Sequence, residues 1–233
     1  MTTLVVLQPG YLPWMGFFDL LRRADHFVYY DDVQFDKHGW RNRNRIKGPN
    51  GPQWLSVPVL HGGKGGQPIH RVRIDNSQPW RRKHIATLVQ QYAKAPHVNP
   101  YLNELERMIE RPWELLVDLD VAVAALISGW LGLKPPTLRS SELGVGGERN
   151  TRLVNLCRHF SATTYLSPNA SKAYLDIKLF EDHGIQVVWQ DYCHPVYPQL
   201  HGDFVPYLSA IDLVLNVGQD GRRILVDGNS YDL

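Results

Sequence analysis

Cysteine is scarce in this chain: 233 residues contain two, Cys157 and Cys193. Two thiols cannot build a disulfide framework, and their scarcity fits a reducing compartment. Net charge is nearly absent, since 25 Lys and Arg against 23 Asp and Glu leave +2. So small a charge gives no field that argues for general nucleic-acid binding. Long apolar runs are missing too. None approaches the roughly 20 residues of a membrane-spanning helix, so no membrane span is expected. The opening Met-Thr-Thr-Leu-Val-Val-Leu has no basic residue before its apolar stretch, and Gln8-Pro9-Gly10 ends that stretch early. A secretory leader is therefore not expected, and a cytoplasmic location is. Neither Cys-x-x-Cys nor His-x-x-x-His spacing occurs, so no metal site is expected, while the sequence leaves the cofactor open. Repeats and low-complexity tracts are likewise missing.

What is present is ordinary globular material, 43% hydrophobic and 21% charged. That excludes intrinsic disorder and is enough chain for one large domain or two small ones. Aromatics stand out, with 7 Trp and 11 Tyr against 7 Phe. Tyr and Trp pack and hydrogen-bond at once. Several lie beside Pro, Asn and Asp, which suggests a pocket for a polar organic ligand, although packing alone also uses such rings.

The chain opens strand, loop, helix, strand: Leu4 to Leu7, the 8–14 turn, Met15 to Arg23, and His26 to Tyr30. This is a βαβ unit, which implies a parallel sheet with ligands at the carboxyl ends of its strands. Trp54 to Leu60 reads as a third strand and Ile69 to Ile74 as an edge strand. Between them the glycine-rich stretch 62–66 lacks the Lys-Ser/Thr ending of a phosphate-binding loop and reads as a surface loop or lid. Helices are expected from Pro79 to about Ala93, from Pro100 to Ile109, and from near Pro112 to Gly132. Lys134-Pro135-Pro136 marks a change of subdomain. Beyond it come a strand at Thr137 to Ser140, a helix at Arg149 to Phe160 and a strand at Thr163 to Leu166. A helix at Ser171 to His183, a strand at Ile185 to Trp189 and a helix at Pro206 to Val217 complete the order. The expected fold class is α/β, with a Rossmann-like, mostly parallel sheet and a helical insertion. Its parts are an N-terminal α/β part over 1–77, the insertion over 78–133, and a C-terminal α/β part over 134–233.

Four stretches carry candidate chemistry. The first, from Gln8 through Tyr11 and Trp14 to Phe17, joins the first strand to the first helix. Two Pro fix this turn and two Gly allow close backbone approach, while the helix N-terminus suits an anion. The turn has no histidine where nucleotidyl transferases of the HIGH-motif kind hold theirs, which argues against nucleotidyl transfer. A rigid connection without a ligand is the structural alternative. The second runs from Asp31 and Asp32 through Gln34, Lys37 and Trp40 to Arg41-Asn42-Arg43-Asn44-Arg45 and Lys47. On an extended backbone the three arginines share one face and the two asparagines the other. Arg and Lys suit phosphate or carboxylate, and Asn suits a sugar or amide. A solvated basic loop is the alternative here. The third, Tyr165-Leu166-Ser167-Pro168-Asn169, leaves a strand, and Ser167 or Asn169 there also fits a helix cap. The fourth runs from Asp191 through Cys193, His194 and Tyr197 to Gln199 and His201. His194 is the general-base candidate, because imidazole titrates near neutrality. Its neighbour Cys193 points the opposite way on an extended chain, which disfavours a thiol–imidazole pair. Cys157 lies on an apolar helix face and reads as core.

Taken in order, Gln8-Pro9, Tyr11-Leu12-Pro13-Trp14, Gly16-Phe17 and Asp32-Val33-Gln34-Phe35 resemble the WbqC-like family. Lys37, Trp40, Asn42-Arg43-Asn44, Ile46, Trp54, Val57-Pro58 and Tyr165-Leu166-Ser167 continue the resemblance. His194-Pro195, Tyr197, Gln199, Ser209, Ile211-Asp212-Leu213 and Asn216 extend it over essentially the whole chain. The resemblance implies a bacterial protein associated with O-antigen and other surface-polysaccharide genes, and a glycine-type or other aminoacyl transferase. It assigns no catalytic residues. From residue type and position, His194 or Asp32 is the expected base. Gln8, Tyr11, Trp14, Gln34, Lys37, Trp40, Asn42, Arg43, Asn44, Ser167, Tyr197 and Gln199 are the expected substrate contacts. The expected partner is a small molecule such as a nucleotide sugar, or an acyl carrier or coenzyme A thioester. A non-catalytic or nucleotide-binding module using the same pocket is the competing expectation.

Overall fold

The computed structural model describes residues 1–37, 39–60, 66–134 and 136–227. Most of the glycine-rich stretch expected as a loop or lid, with Pro135 of the expected subdomain boundary, lies outside the described residues. The chain forms two compact units, each built from separated segments. The first holds Met1–Gln8, Asp19–Asp32 and Lys134–Tyr192; the second holds Pro9–Phe18, Val33–Leu133 and the chain from Cys193 onward.

The first unit carries a five-stranded sheet. Its strands are β1 (Thr3–Leu7), β2 (His26–Tyr29), β7 (Thr137–Arg139), β8 (Thr164–Ser167) and β9 (Gln186–Trp189), in the order β7-β2-β1-β8-β9. All four pairings are parallel, with Val5 opposite Phe27 and Tyr165 opposite Val187. The fold is α/β and Rossmann-like. Leu4, Val5, Phe27 and Val28 are fully buried, as expected of inner parallel strands, which alternation cannot mark because both faces are covered. Helix α5 (Arg149–His159) packs Leu153, Val154, Leu156 and Cys157 into this unit's core. Tyr165 stacks on Phe180 there, ring centroids 5.0 Å apart. Chain order reverses between β1 and β8, the switch point where open α/β sheets bind ligands beyond the strands' carboxyl ends. Gln8 follows β1 and Ser167 ends β8. After Gln8, Asp32 and Tyr192 the chain passes to the second unit.

The second unit is built on a hairpin of β3 (Arg43–Gly48) and β4 (Gly51–Ser56), a short pair β5 (Val59–Leu60) and β6 (Arg73–Ile74), and helices. The helices are α2 (Trp80–Tyr92), α3 (Val98–Ile109), α4 (Leu116–Trp130), α7 (Ala210–Val217) and α8 (Gly221–Asp227). Gly51 closes the two-residue hairpin turn at φ +96°, a conformation L side chains resist. Helix α1 (Met15–Arg23) spans the division between the units.

Several expected elements differ, each for a local reason. Trp54 to Leu60 is two strands, because the chain pairs with β3 up to Ser56 and with β6 from Val59, and Pro58 between them has no N–H to give. Ile69 to Ile74 begins as a single 3₁₀ turn, Ile69–Arg71, before β6. The helix expected over Ser171 to His183 is a 3₁₀ turn, Asn169–Ala173, and then α6 (Ile177–Glu181). Asp176 starts α6 by accepting from Leu179 N. Ser209 likewise caps α7 through Ile211 N, so residues 206–209 stay outside the helix. The third helix starts at Leu116, not near Pro112.

Candidate functional site

The alternation read over Arg41 to Arg45 is present in β3 only from Arg43 onward; Arg41 and Asn42 precede the strand, and Asn42 lines the same cavity as Arg43. Arg43 and Arg45 are partly exposed, while Asn44 and Ile46 are buried. Arg43 stands opposite Ser56 in β4. This end of the hairpin meets α2 at a cavity of about 550 Å³, within the size range of small-molecule sites. Lys37, Asn42 and Arg43 line it with Ser56 and Val57-Pro58-Val59; Gln78, Trp80, Lys83 and His84 close the other side. Three of these side chains are cationic, and among the described lining residues there is no carboxylate. The site therefore favours an anion. Asn42 donates through Nδ2 to Val57 O at 2.8 Å, and its Oδ1 has no partner among the described residues. A ligand hydroxyl or N–H would satisfy that acceptor.

His84 was not legible as a site residue. Its only local signal is that Trp80, Lys83 and His84 lie three or four residues apart and so share a helix face. The ring packs edge-on to Trp80, centroids 5.4 Å apart. Its Nε2 lies 3.1 Å from Ser56 O and its Nδ1 3.0 Å from the Tyr11 hydroxyl. A carbonyl only accepts, so Nε2 carries the proton, and Nδ1 accepts from Tyr11. Burial lowers the pKa of His84 to about 4 and raises that of Tyr11. The pair is neutral at pH 7 and holds the cavity wall.

The first turn is shaped by close approach, as its glycines suggested. A Cβ on Gly10 would lie 2.8 Å from Trp40 O, and one on Gly16 would fall 2.1 Å from the Trp14 ring. Trp14 also contacts Tyr207, centroids 5.5 Å apart, and Tyr207 contacts His194 at 5.3 Å. His194 is half-buried among Tyr197, Phe204 and Tyr207. Its Nδ1 donates to Pro195 O at 2.9 Å, which leaves the lone pair of the neutral ring on Nε2. Burial lowers its pKa, so the ring is in its base form at neutral pH. His194 is not among the described residues that line the cavity.

Other expected contacts are engaged within the protein. Asn44 gives Nδ2 to Leu12 O at 2.7 Å and takes Arg45 N on Oδ1, pinning the first turn. Gln199 closes its own loop by two bonds with Val205. Tyr197 is buried and donates to Asp212 Oδ1 at 2.8 Å, while Tyr92 donates to Asp212 Oδ2 at 2.7 Å. Lys47, counted with the basic run, is buried and caps Gly202 O and Asp203 O. Arg41 gives Nη1 to Pro9 O at 2.9 Å and sits 3.3 Å from Asp36. Gln34 is exposed and bridges to Pro68. Trp40 is exposed.

Gln8, Asp32 and Ser167 belong to the first unit. Asp32 accepts from Ser140 Oγ at 2.6 Å and is ion-paired with Arg152. Asp31 accepts from Ser141 N and Oγ. Ser167 is buried with its Oγ 2.6 Å from Ser171 Oγ. Cys193 is an exposed free thiol, and burial pushes the Cys157 thiol up to about 12. Among the described residues no group of three His, Cys, Asp or Glu is placed to hold a metal, and no helix is long and apolar enough to cross a membrane.

The model of the WbqC-like protein family matches residues 8–224. An uncharacterized protein of Mycobacterium tuberculosis (strain ATCC 25618 / H37Rv), Rv1507c, is 35% identical over 227 residues, covering 97% of this chain and 98% of its own. No solved structure matches.

Proposed function

The chain belongs to the WbqC-like protein family, and from that premise we propose that it transfers an acyl or aminoacyl group to an amine, such as an amino sugar of a surface polysaccharide. The observation that carries this reading is the cavity: three cations, a buried open amide oxygen and no carboxylate among its described lining. Such a lining holds an anionic, hydroxyl-bearing molecule, as a nucleotide sugar or an acyl-carrier thioester is. His194 is the base. Its Nε2 lone pair takes the proton of the attacking amine as nitrogen bonds to the acyl carbon, and the thiolate or alkoxide departs with the proton returned. Asp32 serves less well, because its carboxylate oxygens are already engaged by Arg152 and Ser140.

The test pairs turnover with binding. The protein is incubated with acyl and aminoacyl donors and an amino sugar, and amide formation is read by mass spectrometry. His194→Gln should lose about 10²–10⁴-fold in rate while keeping ligand affinity. Turnover that survives this change removes His194 from the mechanism. Anion binding without amide formation from any donor supports the competing reading, a binding module. One observation favours that reading: the cavity's own histidine, His84, has both ring nitrogens engaged.

A further inference from the structure

The hairpin face that feeds the cavity continues beyond it. Arg43 is opposite Ser56, and Arg45 is opposite Trp54. Side chains two apart on a strand share a face, so these four stand together, while Asn44, Ile46 and Leu55 are buried on the other side. Arg43 and Ser56 line the cavity. Arg45 and Trp54 stand one row further along, about 7 Å away. Trp54 and Trp40 are each 44% exposed, with ring centroids 5.1 Å apart. The Arg43 guanidinium lies 4.5 Å from the Trp54 ring, and that of Arg45 lies 5.4 Å from Trp40 and 5.8 Å from Trp54. Two large rings side by side in solvent form an apolar ledge, and the two arginines make it cationic.

Resting on the anionic-ligand reading of the cavity, we propose that its ligand is a nucleoside diphosphate. Lys37, Arg43 and Lys83 hold the phosphates in the cavity, and the base lies on the ledge of Trp40 and Trp54. The diphosphate, doubly charged as the diester of a nucleotide sugar or coenzyme A and more highly charged as free UDP, matches three cations better than a single carboxylate does. The ribose between phosphate and base spans a distance comparable to the single row that separates cavity from ledge. The open Oδ1 of Asn42 is the acceptor for a ribose hydroxyl. Aromatic ledges beside cations take bases by stacking, with little preference among them. A nucleotide sugar and coenzyme A both present this chemistry.

Calorimetric titration of the full chain with UDP, coenzyme A, inorganic pyrophosphate and glucose 1-phosphate tests the proposal. UDP or coenzyme A should bind about 10-fold or more tightly than pyrophosphate. Trp54→Ala should abolish that gain while leaving pyrophosphate affinity in place, and Lys83→Ala should weaken every probe. A gain for UDP alone identifies a nucleotide sugar, and a gain for coenzyme A alone identifies a thioester. Thermal melting confirms that Trp54→Ala is folded, and Trp40→Ala repeats the measurement on the other ring. Equal affinity for pyrophosphate, UDP and coenzyme A overturns the ledge and leaves the cavity standing. A gain that both tryptophan variants retain does the same, as does an equal, Trp54-dependent gain for glucose 1-phosphate. If none of the four anions binds the wild-type chain, the cavity reading fails and the ledge with it.

Discussion

Acidification should destabilise this protein through His84, by an amount the structure sets. In the unfolded chain the ring titrates near 6.5. In the fold, burial lowers its pKa to about 4, against a smaller opposing effect of the bond to Ser56 O. The folded pKa is the lower one, so between these values the unfolded state binds more protons. Stability from this residue is therefore complete above about pH 6.5 and is lost as pH falls toward 4. At 1.36 kcal/mol per pH unit the gap is worth about 3 kcal/mol. His84→Gln removes the titration and costs about 1–2 kcal/mol at pH 7 for the altered bonds to Tyr11 and Ser56. Urea denaturation of both proteins at pH 7, 6, 5 and 4 separates the two effects, because other groups titrate alike in each. The wild-type advantage should shrink with falling pH and reverse between about pH 6 and pH 5. Parallel curves for the two proteins would refute the argument.

Gly16→Ala should lower stability by about 1–3 kcal/mol, since the new methyl displaces the Trp14 ring; an unchanged melting temperature contradicts this. Arg152→Met leaves the partly buried Asp32 carboxylate without its cation. It should cost about 3 kcal/mol, and adding Asp32→Asn should recover part of that, as measured by chemical denaturation. Asp212→Asn supplies one acceptor oxygen where Tyr92 and Tyr197 need two; a loss of about 1–3 kcal/mol is expected, and none is expected in anion affinity. Arg43→Ala should weaken anion binding by roughly 1.5–3 kcal/mol while changing thermal stability much less; a variant that melts early but binds normally makes Arg43 structural.

The sequence by itself determined the parallel α/β class. A short apolar run, a turn and a basic-ended helix leading to a second apolar run leave few alternatives once crossover handedness and strand burial are imposed. It also showed the alternation over Arg43 to Arg45, though not that Arg41 and Asn42 stay outside the strand, and the glycines at 10 and 16, because these are local properties of backbone period and side-chain size. It did not show where strands stop within an apolar stretch. Val57-Pro58 breaks one because the chain changes partner there, from β3 up to Ser56 to β6 from Val59. The candidate site divides the same way. Lys37, Asn42 and Arg43 were legible because they sit in one charged stretch, and Trp80, Lys83 and His84 were not, because they lie on a helix with no motif. Asn44, Tyr197 and Gln199 have the residue types of ligand contacts, yet each meets a backbone or carboxyl partner that sequence spacing does not reveal. A polar side chain in a sequence states only what it is able to bond. Whether ligand, water or its own protein satisfies it is decided by which groups folding brings within hydrogen-bond reach.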